Sequence, residues 1–229
     1  MASESTYIIA CSYAGEIVII IVQRVMRTSV PFIALLILAV SGWGLFAYKY
    51  LLPGNGENFH GKKYEKYAPD FKLTDHEGRG VTLRQFHGKI VLIAWGYTSC
   101  PDVCPLTLSK LRKVMDGLGN NAKDVQVLFI TVDPERDTAE KLKSYVPYFN
   151  KDFIGVTGSR EDIDKAAHDY GVTIVKHPEV YGRSEKDHWD SYLITHTNTI
   201  FLVDRDGRLL LTYPHYQSDP EGITADITK

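Results

Sequence analysis

The stretch "IVLIAWGYTSCPDVCPLTLSKLRKVMDGLG", residues 90–119, decides how the chain is read. Ile90 to Tyr97 form a nearly continuous apolar run rich in β-formers, the pattern of a strand covered on both faces. Cys100 and Cys104 follow, each with a proline directly after it. Leu106, Leu108, Leu111, Met115 and Leu118 then recur at mostly helical spacings, and Gly117 and Gly119 close the helix. Strand, cysteine turn and helix together open an α/β unit.

The same alternation continues downstream. "VQVLFITVD", residues 125–133, reads as a second buried strand. "DTAEKLKSYVPYF" reads as a helix capped by Asp137 or Thr138, with Glu140 near its first turn. Strand "FIGVTG", helix "SREDIDKAAHDYG" capped by Ser159, and extended "VTIVK" come next. Residues 177–190, "HPEVYGRSEKDHWD", read as a polar surface loop. "NTIFLVD-RDG-RLLLTY" is a hairpin turning at Asp206-Gly207. Ser218 or Asp219, with Pro220 next, starts a short last helix. Upstream, "FKLTD-HEGRG-VTL", residues 71–83, is a second hairpin. Alternating β and α predict a mostly parallel central sheet with antiparallel additions, an α/β domain over 70–229.

Bulk properties agree. The 229 residues are 44% hydrophobic and 24% charged, which suits one domain plus an extension. A net charge of −2 shows no nucleic-acid footprint. Three cysteines are too few for a disulfide framework, so paired thiols point to redox or metal chemistry. Cys11 has no assigned role.

Val30 to Tyr48 run without a charge. A helix of that length covers about 28 Å, close to the roughly 30 Å hydrocarbon core of a bilayer. Residues 30–52 are read as a transmembrane anchor, with Trp43 and Tyr48 suited to the interface. An earlier apolar run carries Glu16 mid-way and makes a poor span. Met26 opens a basic-then-apolar signal anchor and is the expected natural start, with residues 1–25 coming from upstream translation; residues 1–29 are the N-terminal segment. Arg24 and Arg27 precede the helix, and Lys49, Lys62, Lys63 and Lys66 follow it, so charge alone does not decide orientation. With Arg24 and Arg27 inside, the domain is extracytoplasmic. Residues 53–69, rich in Gly, Asn, Lys and Pro, read as a linker.

Cys100 ends a strand turn and Cys104 opens a helix, where free N–H groups and the positive dipole end favour thiolate. Residues four apart share a helical face, with Cβ atoms about 5–6 Å apart. That pair can grip a soft metal such as Cu(I) or Zn, close a disulfide, or remain two buried thiols. Metal binding needs a third ligand. Of the eight histidines, His196 stands immediately before the strand "NTIFLVD", where a loop can converge on the cysteine helix.

"GYTSCPDVCPLTL", "FITVDPERDTAEKL", "FIGVTG" and "THTNTIFLVDRDGRL" resemble, in order, the motifs of the Sco/SenC family, over about Ala68 to Asp226. The resemblance implies a thioredoxin-like fold with an N-terminal β-hairpin extension, tethered by one N-terminal transmembrane helix to the inner (cytoplasmic) membrane, with the domain periplasmic. It implies copper, as Cu(I) and also Cu(II), held by Cys100, Cys104 and His196. The copper is delivered to the CuA centre of cytochrome c oxidase subunit II, with an upstream copper donor and a thiol reductant as further partners. The alternative it carries is a thiol–disulfide oxidoreductase that reduces CuA-site cysteines or other extracytoplasmic disulfides. Cys100 is then the attacking residue and Cys104 the resolving one, passing through a Cys100–Cys104 disulfide. A thiol peroxidase normally relies on an arginine near its nucleophile, and none lies in the ten residues before Cys100. Asp102 and Asp133 match motif positions as supporting residues. Two positions depart from the family pattern. Thr195 stands where the family usually has Asp before the ligand histidine, and Ser99 stands where many members carry His. A metal-bound histidine needs a partner for its other ring nitrogen, and Thr195 or Thr197 is the candidate here.

Overall fold

The computed structural model describes residues 35–46, 59–177 and 192–229. The chain divides into two compact units, Met1–Asn58 and Phe59–Lys229. In the first, residues 35–46 form helix α1, with Leu35, Leu36, Ile37, Leu38 and Trp43 exposed. Among the described residues no helix is long and apolar enough to cross a membrane. The rest of the apolar stretch read as an anchor, 30–34 and 47–52, lies outside them, as do 1–29 with Met26 and Cys11.

The second unit is an α/β domain. Its strands are β1 (Lys62–Tyr67), β2 (Leu73–Asp75), β3 (Gly80–Val81), β4 (Ile90–Gly96), β5 (Val125–Thr131), β6 (Ile154–Thr157), β7 (Ile174–His177), β8 (Leu193–His196), β9 (Thr199–Val203) and β10 (Arg208–Pro214). Its helices are α2 (Val103–Leu118), α3 (Ala139–Tyr145), α4 (Arg160–Asp169) and α5 (Pro220–Ile227). Eight strands form one sheet in the order β1-β10-β9-β4-β5-β6-β2-β3, while β7 and β8 pair separately.

The apolar runs of β4 and β5 take the centre. They pair in parallel from Ile90↔Val125 to Gly96↔Thr131, and β6 continues the parallel block. Leu92, Ile93, Leu128, Phe129 and Ile130 are fully buried there. Such side chains each contribute about 1.5–3 kcal/mol when buried. On α2 the buried face is Cys104, Thr107, Leu108, Leu111, Val114, Met115 and Leu118, a spacing of three and four that packs the helix against β4 and α5. The hairpin expected over 71–83 is β2–β3, and Gly78, at φ 80°, makes its turn. The hairpin at Asp206-Gly207 is β9–β10, paired antiparallel to β4.

Three local readings change. Lys62–Tyr67, inside the stretch read as linker, is the edge strand β1, antiparallel to β10. Lysines on an edge strand discourage pairing with other chains, and they also erase the apolar alternation that marks a strand. The carboxylate of Asp226 holds this entry by accepting N–H bonds from His60 (2.9 Å) and Gly61 (3.0 Å) and the Tyr213 hydroxyl (3.0 Å). Thr138 alone caps α3, its Oγ1 accepting from the Lys141 N–H, so Asp137 is free for another task. Leu193–His196 is a strand, β8, antiparallel to β7. Residues 178–191, most of the expected loop and His188 with it, lie outside the described residues.

Candidate metal centre

The carboxyl end of β4 runs into Tyr97, whose carbonyl accepts the Cys100 N–H at 3.2 Å and turns the chain toward α2. Asp102 begins that helix without a side-chain cap. The first-turn N–H groups are therefore available to a sulfur. Cys100 is half-exposed and Cys104 is buried, with 1% of its surface accessible. Gly96 makes that burial possible: a Cβ there would stand 2.9 Å from Cys104 Sγ and 2.7 Å from the Phe129 ring.

The two thiols have opposite characters. The Cys100 thiol is lowered to about 5, first by the hydrogen bond from the Cys104 thiol and then, against the cost of burial, by the N–H groups of Asp102, Cys104 and Val103. Cys104 is pushed far up by that same bond to the Cys100 sulfur, and further by burial. The pair therefore holds one proton, on Cys104, beside a Cys100 thiolate. Next to them the Tyr145 hydroxyl is buried without a hydrogen-bond partner, its pKa raised by burial and by the negative charge that the cysteine pair carries.

His196 reaches this pair from the end of β8. Its Nε2 lies 3.5 Å from Cys104 Sγ. Its Nδ1 lies 3.1 Å from the Thr197 carbonyl, which only accepts, so Nδ1 carries the proton and Nε2 keeps its lone pair facing the sulfur. Burial lowers the His196 pKa and keeps the ring neutral. Tyr97 packs edge-on against the imidazole with ring centres 6.2 Å apart, and its hydroxyl accepts the Ile194 N–H at 3.3 Å. The same tyrosine thus begins the cysteine loop and braces the histidine strand.

The other expected positions fall around this centre. Thr195 faces away from it, with its Oγ1 bonded to His177 Nε2 at 3.0 Å. The Thr197 side chain accepts the Thr173 N–H, so the partner of His196 is the Thr197 backbone and not a hydroxyl. Ser99 is exposed, and its hydroxyl accepts from Lys141 Nζ at 3.3 Å. Asp102 is exposed. Asp133 is fully buried, pairs with Arg136 and accepts the Tyr192 hydroxyl at 2.6 Å, so it supports from behind. Among the described residues His196 is the histidine that meets a thiol. His76 accepts from Gly155 N–H, and His215 pairs with the Thr107 hydroxyl. Three residues at the centre were not read from the sequence as part of the site: Gly96, Tyr97 and Asp137. Gly96 and Tyr97 sit inside the quoted cysteine motif, and Asp137 ends the "VDPERD" run.

Two sulfurs and one imidazole form a soft donor set, suited to Cu(I) or Zn rather than Mg or Ca. They lie as a chain with Cys104 in the middle. Among the described residues no three His, Cys, Asp or Glu side chains already stand as a closed metal cluster.

Comparison with known proteins gives the family of the domain. The SCO1/SenC family model matches residues 60–229. The chain belongs to the SCO1/SenC family. It is similar to the mitochondrial SCO1 homolog of Homo sapiens, 38% identical over 142 residues, covering 61% of this chain and 45% of that protein. It is also similar to the SCO2-like protein of Rickettsia felis, 35% identical over 159 residues, 69% of this chain and 74% of that one. The chain spans about half the length of its human and zebrafish SCO relatives. Among solved structures, Bradyrhizobium japonicum ScoI with copper bound superposes with a TM-score of 0.62 at 36% identity, covering 71% of this chain and 98% of that one. The fold is the thioredoxin-like Sco fold. The Sco unit here is thus the Phe59–Lys229 domain, and the match covers 98% of the solved ScoI chain, which therefore holds little beyond such a domain.

Proposed function

We propose that this Sco protein is a copper metallochaperone. Its cargo, Cu(I), is held by Cys100, Cys104 and His196. One observation carries the reading: a neutral imidazole, its Nδ1 occupied by Thr197, presents Nε2 at 3.5 Å to a buried thiol that is itself bonded to a thiolate. The Cys104 proton leaves on binding, and the outer two donors draw in toward the ion. A three-coordinate ion leaves one side open to an incoming thiolate, so transfer proceeds by ligand exchange. The ScoI relative was solved with copper bound, which supports the choice of metal. Family membership supports the recipient, the CuA site of cytochrome c oxidase subunit II, with an upstream donor and a thiol reductant serving the same domain. The same site is competent for Cu(II).

Residues 30–52 serve as a single-pass anchor in the inner membrane with the domain periplasmic. The helical, apolar residues 35–46 support this. Recovery of the full chain in the alkaline-washed membrane fraction is the expected result, and recovery in the supernatant counts against it.

A second reading draws on the thiol pair itself. A half-exposed Cys100 thiolate beside a buried Cys104 thiol is the arrangement of an attacking and a resolving cysteine. Such a site would reduce the CuA-site disulfide.

Copper titration of the reduced Phe59–Lys229 domain separates the two. The wild type binds one equivalent of Cu(I). His196→Ala keeps both free thiols and binds far more weakly. Unchanged affinity in that variant removes His196 as a ligand. Copper-free reduction of an oxidised CuA domain that survives His196→Ala favours the second reading.

A further inference from the structure

The turn after β5 carries two carboxylates, Asp133 and Asp137, with no exposed surface. Buried carboxylates are costly unless fully partnered, and both are. Asp137 Oδ2 accepts the Thr98 N–H at 2.9 Å and the Thr131 hydroxyl at 2.7 Å. Its Oδ1 accepts the Thr98 hydroxyl at 2.5 Å. Thr98 stands two residues before Cys100, so Asp137 grips the cysteine loop by backbone and side chain together.

Asp133 points to the other half of the centre. Its Oδ1 accepts the Tyr192 hydroxyl at 2.6 Å, and Oδ2 pairs with Arg136. The Arg136 guanidinium lies 3.7 Å from the Tyr192 ring centre and 5.6 Å from that of Tyr97. Tyr192 directly precedes β8, which ends at His196. Thr131 ties the Asp137 carboxylate to the backbone of Asp133, since its hydroxyl donates to Asp137 and accepts the Asp133 N–H at 2.9 Å.

We propose that the turn Asp133–Asp137 is the positioning element of the metal centre, with Asp137 setting the cysteine loop and Asp133, through Tyr192, setting the histidine strand. One rigid turn then holds both halves of a site whose donors are far apart in sequence. The proposal rests on the metal-centre reading above. It makes Asp137 and Tyr192 positioning residues that do not touch the ion.

The test uses the Phe59–Lys229 domain with Asp137→Ala, Asp137→Asn, Thr98→Val and Tyr192→Phe. Three properties are measured: Cu(I) affinity by competition with a chromophoric chelator, iodoacetamide labelling of Cys104 in the copper-free protein, and thermal unfolding. Asp137→Ala is expected to bind Cu(I) about 10–100-fold more weakly, the usual loss when a residue orienting a ligand is removed. Its Cys104 labels faster by on the order of tenfold, as local opening becomes easier. Asp137→Asn falls between it and wild type. Tyr192→Phe weakens copper binding but leaves Cys104 labelling unchanged, a split that general destabilisation does not produce.

A folded Asp137→Ala with both affinity and labelling within about twofold of wild type overturns the proposal, because orienting residues cost more than that. If Asp137→Ala does not fold, Thr98→Val decides: weaker copper binding and faster labelling support the proposal, and no change overturns it. If wild type itself binds no copper, the metallochaperone reading fails. The labelling then decides by itself whether the turn positions the thiols.

Discussion

His196 Nε2 sits 3.5 Å from Cys104 Sγ, across 92 positions of chain, with its other ring nitrogen bonded to the Thr197 carbonyl. The contact joins the end of the two-stranded β7–β8 hairpin to the first turn of α2. Cys104 is the middle of the donor chain, and its burial against Gly96 sets where the other two donors must come.

Copper binding is expected to release about one proton per ion at pH 7 rather than two. Cys100, lowered to about 5, is already a thiolate, Cys104 still holds its proton, and burial keeps His196 neutral. Affinity should therefore fall about tenfold per pH unit around pH 7, and more steeply as pH approaches 5, where Cys100 takes up its proton. Calorimetry in buffers of different ionisation enthalpy counts the protons. A count near two at pH 7 removes the Cys100 thiolate from the account.

Cys100 is also expected to label with iodoacetamide well before Cys104, with an ionisation midpoint near 5 by thiolate absorbance. A folded-state pKa below the unfolded value stabilises the fold above the unfolded thiol's pKa, and that contribution is lost as pH falls through about 5. Cys100→Ser should flatten that part of the stability profile. Unfolding midpoints from pH 4 to pH 9 for the two proteins give the comparison.

Thr195→Asp, which restores the usual family residue, should change Cu(I) affinity by less than about threefold, because adjacent strand residues face opposite sides. The Thr195 hydroxyl engages His177, and Nδ1 of His196 already has Thr197. A tenfold tightening by chelator competition contradicts that geometry.

Gly96→Ala places a methyl group 2.9 Å from Cys104 Sγ and 2.7 Å from Phe129. Overpacking of this kind costs about 1–3 kcal/mol, seen as a lower unfolding temperature. Displacing Cys104 should weaken Cu(I) binding as well. A variant with wild-type stability and affinity shows that the sulfur has room to spare.

The central sheet was readable because its signals are local. β4 and β5 are continuous apolar runs, and Leu108, Leu111, Met115 and Leu118 lie at helical intervals. β1 escaped notice because an edge strand needs apolar contact on fewer sides and carries lysines at Lys62, Lys63 and Lys66. β8 escaped because four residues beside a polar stretch show no clear period, and its pairing partner β7 lies beyond residues 178–191. Asp137 looked like a helix cap, since an acidic residue before "TAEKL" fits that role by itself. Its true partners, Thr98 and Thr131, come from two other segments.

The sequence by itself determined the order of the central strands and the helices and the place of the two thiols at a strand end and a helix start. Burial pattern and helix-terminus electrostatics act over a few residues, so they are written in the local string. Tertiary structure alone decided which His196 nitrogen faces the Cys104 sulfur, and that Asp137 turns inward to hold the cysteine loop. Those outcomes depend on segments 92 and 39 positions apart closing on the same strand ends. Chain closure, unlike hydrophobic period, leaves no trace in any short window of sequence.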